Sequence, residues 1–323
     1  MIDLQGRKIE YVRVSITDRC NLRCLYCMPE GGVECLAHQD ILTFEEIVRI
    51  VRLMTGLGVH AVRLTGGEPM ARRGCLDLIG MLHALPGVDR IGMTTNAILL
   101  KGRVAEAAHN GLADLNISLD TLDPENYRHI TRCGNVNDVL DVLHEALDAG
   151  LRVKLNAVPI RGLNETQLVE LAALAKDLPV DVRFIELMPI GSGADMKAIQ
   201  TSEVLQKMEE AFGPLQPDDS RHGMGPAVYG KPRGFAGNIG FISAVSHEFC
   251  QYCNRVRITP DGLLKLCLNH QSSADLRTLL RNGATDGEIT EAMRVAILHK
   301  PVHHGFSENV DDKEARRMNQ IGG

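Results

Sequence analysis

The sequence predicts an α/β protein: an open, partial (β/α)6 barrel of the TIM type with a smaller C-terminal extension. Three observations carry that expectation. Between Tyr11 and Met188, six short extended segments alternate with helical stretches, the pattern of a parallel sheet with crossover helices. Six units are too few to close an eight-stranded barrel. Beyond Met188 the alternation stops, and residues 213–240 hold seven Gly and four Pro, which reads as a loop-rich linker. The expected division is a core over 1–190 and a C-terminal region over 191–323.

The expected strands are 12–17, 60–65, 89–94, 113–118, 152–158 and 181–187. Val12, Val14 and Ile16 alternate with Arg13, Ser15 and Thr17; Leu115, Ile117 and Leu119 alternate with Asn116, Ser118 and Asp120. Val153, Leu155 and Ala157 alternate with Lys154 and Asn156, while Arg63 with Thr65 and Thr94 with Asn96 oppose apolar partners. Side chains alternate across a strand, so each strand has an apolar face for helices and a polar face opposite. Crossover sheets are usually covered on both sides, and a closed barrel fills its interior with aliphatics. A polar face on five strands therefore implies a wet cavity suited to an anionic ligand.

Among the helices, 43–55 opens with a Thr43/Glu46 capping box. In 137–149, Val139, Leu140, Val142, Leu143, Ala146 and Leu147 form one apolar face. In the C-terminal region, 238–245, 256–259 and 263–268 read as strands, with Thr259-Pro260-Asp261-Gly262 as a tight turn. Helices are expected at about 274–282 and 286–299, before a polar tail ending in Ile321-Gly322-Gly323.

Composition narrows the function. The 323 residues are 44% hydrophobic and 24% charged, which excludes a disordered chain. Lys plus Arg number 35 against 41 acidic residues, so a broad nucleic-acid surface is not expected, and the absence of Trp disfavours a base-stacking strand binder. No apolar run suits a membrane span and the charged start is no signal peptide, so a cytoplasmic location is expected.

Cys20, Cys24 and Cys27 form one group and Cys250, Cys253 and Cys267 another, with Cys35, Cys75 and Cys133 apart. Three thiols in the loop after the first strand suit zinc or an iron–sulfur cluster. A structural zinc site needs a fourth ligand, whereas a 4Fe–4S cluster on three cysteines leaves one iron open. Cys35 is better read as a small hydrophobe than as a fourth ligand. The second group could be a zinc knuckle completed by His247 or His270. Against that, Arg255 and Arg257 project to one side beside it, as phosphate recognition requires.

The run Cys20-Asn-Leu-Arg-Cys24-Leu-Tyr26-Cys27, followed by Thr65-Gly66-Gly67-Glu68-Pro69, resembles the radical S-adenosylmethionine superfamily. With Arg13-Val-Ser-Ile-Thr-Asp-Arg19-Cys20, Thr94-Thr95-Asn96, Asn116-Ile-Ser118-Leu-Asp120, Val153-Lys154-Leu-Asn156, Arg183-Phe-Ile-Glu-Leu-Met188, the CNRxR run at 253–257 and the terminal Gly-Gly, the chain is similar to the GTP 3′,8-cyclase (molybdenum cofactor biosynthesis protein A) family over its length. It departs at Ala97, where that family commonly has Gly, which affects a turn.

The resemblance implies two 4Fe–4S clusters, on Cys20, Cys24 and Cys27 and on Cys250, Cys253 and Cys267 in the extension. It implies S-adenosylmethionine held by Tyr26, Gly67, Ser118 and Met188, and GTP held by Arg13, Arg63, Thr94, Lys154, Arg255, Arg257, Gly322 and Gly323. A 5′-deoxyadenosyl radical would take hydrogen from C3′ of GTP, whose carbon radical would attack C8 to give 3′,8-cyclo-7,8-dihydro-GTP. No general-base pair is required. Implied partners are a reducing electron donor, a downstream pterin-forming enzyme and a second copy of the chain. The rivals are another radical enzyme of the superfamily, such as a peptide maturase with auxiliary clusters, and a non-catalytic metal-binding protein. The 299–304 stretch, His299-Lys-Pro-Val-His303-His304, reads as a solvated loop, and Cys75, Cys133, Met54, Met81 and Met93 as packing residues.

Overall fold

The computed structural model describes residues 1–220, 222–271, 273–306, 314 and 316–322. Each expected unit is present. In order they are β1 (Tyr11–Ser15), α1 (Phe44–Gly56), β2 (Ala61–Thr65), α2 (Cys75–His83), β3 (Arg90–Thr95), α3 (Val104–His109) and β4 (Leu112–Ser118). Then come α4 (Pro124–Thr131), α5 (Val136–Asp148), β5 (Arg152–Ala157), α6 (Leu168–Asp177) and β6 (Asp181–Ile185). β1 to β6 lie side by side, parallel and in chain order, and the sheet does not close.

Local chemistry starts several of the helices where the sequence requires it. Thr43 Oγ1 accepts from the Glu46 N–H at 3.2 Å, and Glu46 Oε2 accepts from the Thr43 N–H at 2.7 Å, closing the expected capping box. Asp123 and Asn135 cap α4 and α5 by side-chain acceptance alone, from the Asn126 and Asn137 N–H groups. The buried stripe Ile47, Ile50, Val51 and Met54 of α1 joins one continuous core with Val139, Val142, Leu143 and Ala146 of α5. That core holds Val12, Val14, Leu64, Leu115, Ile117, Val153 and Leu155 from the helix-facing side of the strands. Met54 and Met93 are buried in it, and Met81 is half-buried.

The C-terminal chain extends the sheet at both edges. After α7 (Thr201–Phe212) come β7 (Gln216–Asp218), β8 (Val228–Lys231) and β9 (Asn238–Ile242); β9 pairs parallel to β6, with β8 and β7 antiparallel beyond it. β10 (Arg255–Ile258) pairs parallel to β1, followed by antiparallel β11 (Leu263–Lys265) and β12 (Ser273–Asp275). Helices α8 (Leu276–Arg281), α9 (Asp286–Leu298) and the short α10 (Met318–Ile321) complete the described chain. The expected turn between β10 and β11 is present, with the Gly262 N–H on the Thr259 carbonyl at 2.9 Å.

Residues 213–240 are more than the linker expected, since they contain β7, β8 and the start of β9. Their Gly and Pro have sheet positions. Pro217 lies on the edge strand, where a missing N–H costs little. A Cβ on Gly240 would lie 2.7 Å from the Tyr229 ring, so glycine lets that ring cover the sheet. Ala97 has φ +71° and is fully buried, so the turn after β3 holds an alanine in the left-handed region where glycine costs less.

Candidate active site

The first cysteine group follows β1, and the end of β2 shapes it. The Gly67 N–H donates to the Thr17 carbonyl at 2.7 Å and the Glu68 N–H to the Arg19 carbonyl at 2.8 Å. A Cβ on Gly66 would come within 2.6 Å of the Thr17 oxygen, and one on Gly67 within 2.5 Å of the Arg19 oxygen. Both glycines thus allow the thiol loop to run against the strand end. Glu68 is buried and accepts from the Met70 N–H, the Thr95 hydroxyl and the Asn96 N–H at 2.7–3.0 Å. Burial raises its carboxyl to about 7. Asn96 in turn donates to Asn21 at 2.8 Å, beside Cys20.

Cys20, Cys24 and Cys27 line one cavity of about 990 Å³, counting its open mouth, together with Tyr26, Gly67, Ser118 and Met188. All four side chains or backbones expected to hold S-adenosylmethionine therefore meet the thiols. Thr94, expected beside the nucleotide, lines this cavity too. Tyr26 Oη donates to Asp120 at 2.7 Å, and Asp120 also accepts from the Val158 N–H at 2.8 Å. Burial raises Asp120 to about 6. Burial likewise pushes Cys20 up to about 12 and Cys27 to about 11. Such thiols stay protonated unless a cation is supplied, and metal binding deprotonates them. The chemistry of this donor set fits a thiolate-bound cluster.

Strand register assembles the second part. Arg13 on β1 is opposite Arg257 on one side and Arg63 on the other, while Tyr11 is opposite Arg255. Farther round, Asn116 pairs with Lys154 and Asn156 with Arg183. Burial, then repulsion from Arg63, Arg255 and Arg183, lowers Arg13 to about 10. Burial and then Arg13 and Arg255 lower Arg257 to about 9, and burial with Arg183 lowers Lys154 to about 7. Burial raises Tyr11, but Arg63, Arg13 and Arg255 outweigh it and leave the phenol below its usual range. Strand register thus sets these cations side by side, where they depress one another; none of them lines the cavity of the first thiols, and Lys154 lines a separate one with Asp218, His222 and Tyr229.

These groups are not equally available. Arg63 Nε donates to Tyr11 Oη at 2.7 Å and its NH1 to the Met93 carbonyl at 2.9 Å, so part of its fork braces the sheet. Lys154 Nζ donates to the His222 carbonyl. Arg257 NH1 donates to the Gly322 carbonyl at 2.7 Å, which places the tail inside the barrel. A Cβ on Gly322 would lie 2.6 Å from Ser15 Cβ and 2.7 Å from Thr65 Oγ1. Gly323 lies outside the described residues.

Arg183 was missed as a site residue. It is buried, gives Nε and NH2 to Asn156 Oδ1 at 2.9 and 2.6 Å, and is one of the cations acting on Arg13. Its signal was present in β6, where its parity matches Lys154 on β5 through the register.

Cys250 lies on a 3-10 turn, with Cys253 just before β10 and Cys267 just after β11. At Cys253, burial raises the thiol but Arg255 and Lys300 outweigh it, leaving it lowered to about 6. Among the described residues, neither cysteine triad draws its three sulfurs within 4.8 Å of one another. A single tetrahedral ion with bonds of about 2.3 Å would require that, whereas a cluster spans more.

Three expectations are corrected. Cys35 and Cys133 are exposed, so they are not packing residues, although Cys75 is buried. The 299–304 stretch is not uniformly solvated: Lys300 is 3% and His304 5% exposed, because Arg7, Asn269 and Leu266 bind this stretch into the fold. The histidine that joins a donor set with Cys250 is His304, not His247 or His270.

The open parallel sheet, with thiols at the loop after its first strand and a glycine cradle after its second, defines a radical S-adenosylmethionine protein. Residues 14–175 match the radical SAM superfamily, and residues 180–306 match Molybdenum Cofactor Synthesis C. The fold resembles Streptococcus suis SuiB bound to S-adenosylmethionine, with a TM-score of 0.61 and 16% identity over 88% of this chain and 68% of that one. Curated GTP 3′,8-cyclases match end to end: the Clostridium perfringens strain 13 protein is 42% identical over 323 residues, and the Pelotomaculum thermopropionicum protein 45% identical over 327, each covering 100% of both chains. The chain belongs to the GTP 3′,8-cyclase family.

Proposed function

We propose that this protein is a GTP 3′,8-cyclase that converts GTP to 3′,8-cyclo-7,8-dihydro-GTP in the first step of molybdenum cofactor synthesis. The observation that carries this reading is the set of cations brought together by strand register, Arg183 and Lys154 buried and Arg13, Arg255 and Arg257 half-buried, in a chain that also carries two cysteine triads. A triphosphate carries about four negative charges near neutrality and would relieve the repulsion among them through charge-assisted bonds.

Cys20, Cys24 and Cys27, and Cys250, Cys253 and Cys267, would each hold a 4Fe–4S cluster, which would supply electron transfer for reductive cleavage of S-adenosylmethionine. The protein's part is placement. Tyr26, fixed by Asp120, and Gly67, Ser118 and Met188 hold S-adenosylmethionine in the cavity that the first thiols line. Arg13, Arg255, Arg257 and Lys154 hold the triphosphate, with Arg63 bracing Tyr11 beside them. Thr94 lines the same cavity as the first thiols, so it would contact the nucleotide where that meets S-adenosylmethionine.

The expected partners are a reduced one-electron donor, a pterin-forming enzyme that takes the product, and a second copy of the chain as a homodimer. No helix among the described residues is long and apolar enough to cross a membrane. The free cysteines suit a reducing cytoplasm. An anaerobic assay for 5′-deoxyadenosine and cyclic product, with and without GTP, tests the reading. GTP-dependent 5′-deoxyadenosine with a matching yield of cyclic product is expected; 5′-deoxyadenosine indifferent to GTP would point to a different substrate.

A further inference from the structure

Among the described residues only two that are not glycine have a positive φ, Ala97 at +71° and Arg132 at +66°. A Cβ makes that region unfavourable, and such residues persist where their surroundings over-determine them, often at functional sites. Both abut the first thiol loop. Ala97 follows Asn96, whose side chain donates to Asn21 at 2.8 Å, beside Cys20. Arg132 ends α4, at a position where a left-handed helix end favours glycine.

The last carbonyls of α4 are taken up by the thiol loop. Those of Ile130 and Thr131 accept from the Leu25 and Arg23 N–H groups at 3.0 and 3.1 Å, so the loop satisfies the helix terminus. Arg132 returns the contact. Its NH1 donates to the Arg23 carbonyl at 2.5 Å and to the Met28 carbonyl at 3.0 Å. These two carbonyls bracket the turn that carries Cys24 and Cys27. Within that turn the Cys27 and Met28 N–H groups donate to the Cys24 carbonyl at 3.0 and 3.1 Å. One cationic nitrogen thus ties both ends of the turn together. Cys20 is held separately, by Arg23 NH1 on its carbonyl at 2.7 Å.

We propose that Arg132 is a positioning residue for the first cluster: by tying the Arg23 and Met28 carbonyls together it sets Cys24 and Cys27 in place before iron binds, at the cost of an unfavourable backbone. The inference rests on the reading that Cys20, Cys24 and Cys27 hold an iron–sulfur cluster. A ligand turn that is fixed beforehand loses less conformational freedom on binding. Removing contacts that orient metal ligands costs on the order of 10–100-fold in metal affinity.

The test uses the full chain with Cys250, Cys253 and Cys267 replaced by Ala, so that one cluster remains. After anaerobic reconstitution, iron content is measured, then the rate at which iron passes to a chelator. The metal-free proteins are melted in parallel to establish that each variant folds. Arg132→Gly relieves the backbone and removes the fork. Arg132→Met keeps the backbone cost without a donor. Arg132→Lys keeps one cationic nitrogen, whose three N–H groups can serve two carbonyls. The Gly and Met variants are expected to release iron on the order of tenfold faster than the parent, and the Lys variant to return most of the way to the parental rate.

Parental release from folded Arg132→Met would overturn the proposal. So would equal release from Arg132→Met and Arg132→Lys, since the effect would then not depend on the donor. If Arg132→Met fails to fold, Arg132→Gly, free of backbone strain, decides in its place by the same comparison with Arg132→Lys. Iron absent from the parent of this series would instead overturn the cluster reading itself.

Discussion

Gly322→Ala is expected to release the tail without disturbing the fold around it. Among the described residues the docked end is held by Arg257 NH1 on the Gly322 carbonyl at 2.7 Å, by Asn319 Nδ2 on the Asp18 carbonyl at 3.0 Å, and by full burial of Ile321. The first, from a charged donor, contributes about 1.5–3 kcal/mol and the second about 1 kcal/mol. Against this, Gly322 has φ +78°, where an L-residue costs about 1–2 kcal/mol. The added methyl would also lie 2.6 Å from Ser15 Cβ, an overpacking of about 1–3 kcal/mol. The cost is of the same order as these bonds, so the undocked tail gains population even though the buried Ile321, at about 1.5–3 kcal/mol, still favours docking. Hydrogen exchange followed by mass spectrometry of the C-terminal peptide reads this directly. Ile321 and Gly322 amides, bonded to the Arg317 and Met318 carbonyls, should lose their protection. Iron content and melting temperature should hold, and cyclic product should fall. Full protection in Gly322→Ala would show that the tail tolerates a side chain and that the steric reasoning is wrong.

Three further outcomes are expected. Anaerobically reconstituted protein should hold about eight irons per chain; Cys20, Cys24 and Cys27 to Ala should remove one cluster and all S-adenosylmethionine cleavage, and the same change at Cys250, Cys253 and Cys267 should remove the other, as iron assay and electron paramagnetic resonance would report. Arg13→Ala, Arg255→Ala and Arg257→Ala should each weaken GTP binding by about 1.5–3 kcal/mol in calorimetry, with cluster content unchanged. Lys154 carries its charge only below about 7, because burial lowers it. GTP binding should therefore weaken as pH rises through 7 and take up a proton above it, a slope that Lys154→Met should remove; an equal slope in that variant would place the titrating group elsewhere.

Much of this site was legible because its logic is local or periodic. Alternation put Arg13, Lys154 and Ser118 on the strand face away from the helix-facing core, and parallel pairing needed no further information to align neighbours. The Gly66-Gly67 pair had a backbone reason that sequence could suggest, and the structure supplies its partner, the Thr17–Arg19 loop. What sequence could not supply was pairing between distant segments. Nothing local says that Arg63 spends Nε on Tyr11, or that Pro217 sits on an outer edge strand. His304 shows the same limit: three polar neighbours at 299–303 made the segment read as solvated, and its burial depends on Arg7 and Asn269, far away in the chain or across a strand.

The sheet also argues against treating residues 1–190 as a unit that could be complete alone. β1 and β6 would be its outer strands, and in the full chain both are paired by C-terminal strands, β10 and β9. Without them each would expose a row of unpaired N–H and carbonyl groups, the condition that favours aggregation. The cavity would also lose its character. Arg257 aligns opposite Arg13 only because β10 docks on β1, and Gly240 gives Tyr229 room beside Arg183 only because β9 docks on β6. The two edges are therefore the places where the C-terminal chain both finishes the fold and completes the proposed anion site. A cation ring assembled across that join forms when the join does, so nucleotide affinity should report on docking of both edge strands: an edge-disrupting Val256→Pro on β10 should cost GTP binding more than Arg257→Ala alone, because it displaces Arg255 and Arg257 together and breaks the pairing to Val12. Equal losses in the two variants, measured by calorimetry on protein that retains the first cluster, would mean that the strand serves only to carry one arginine.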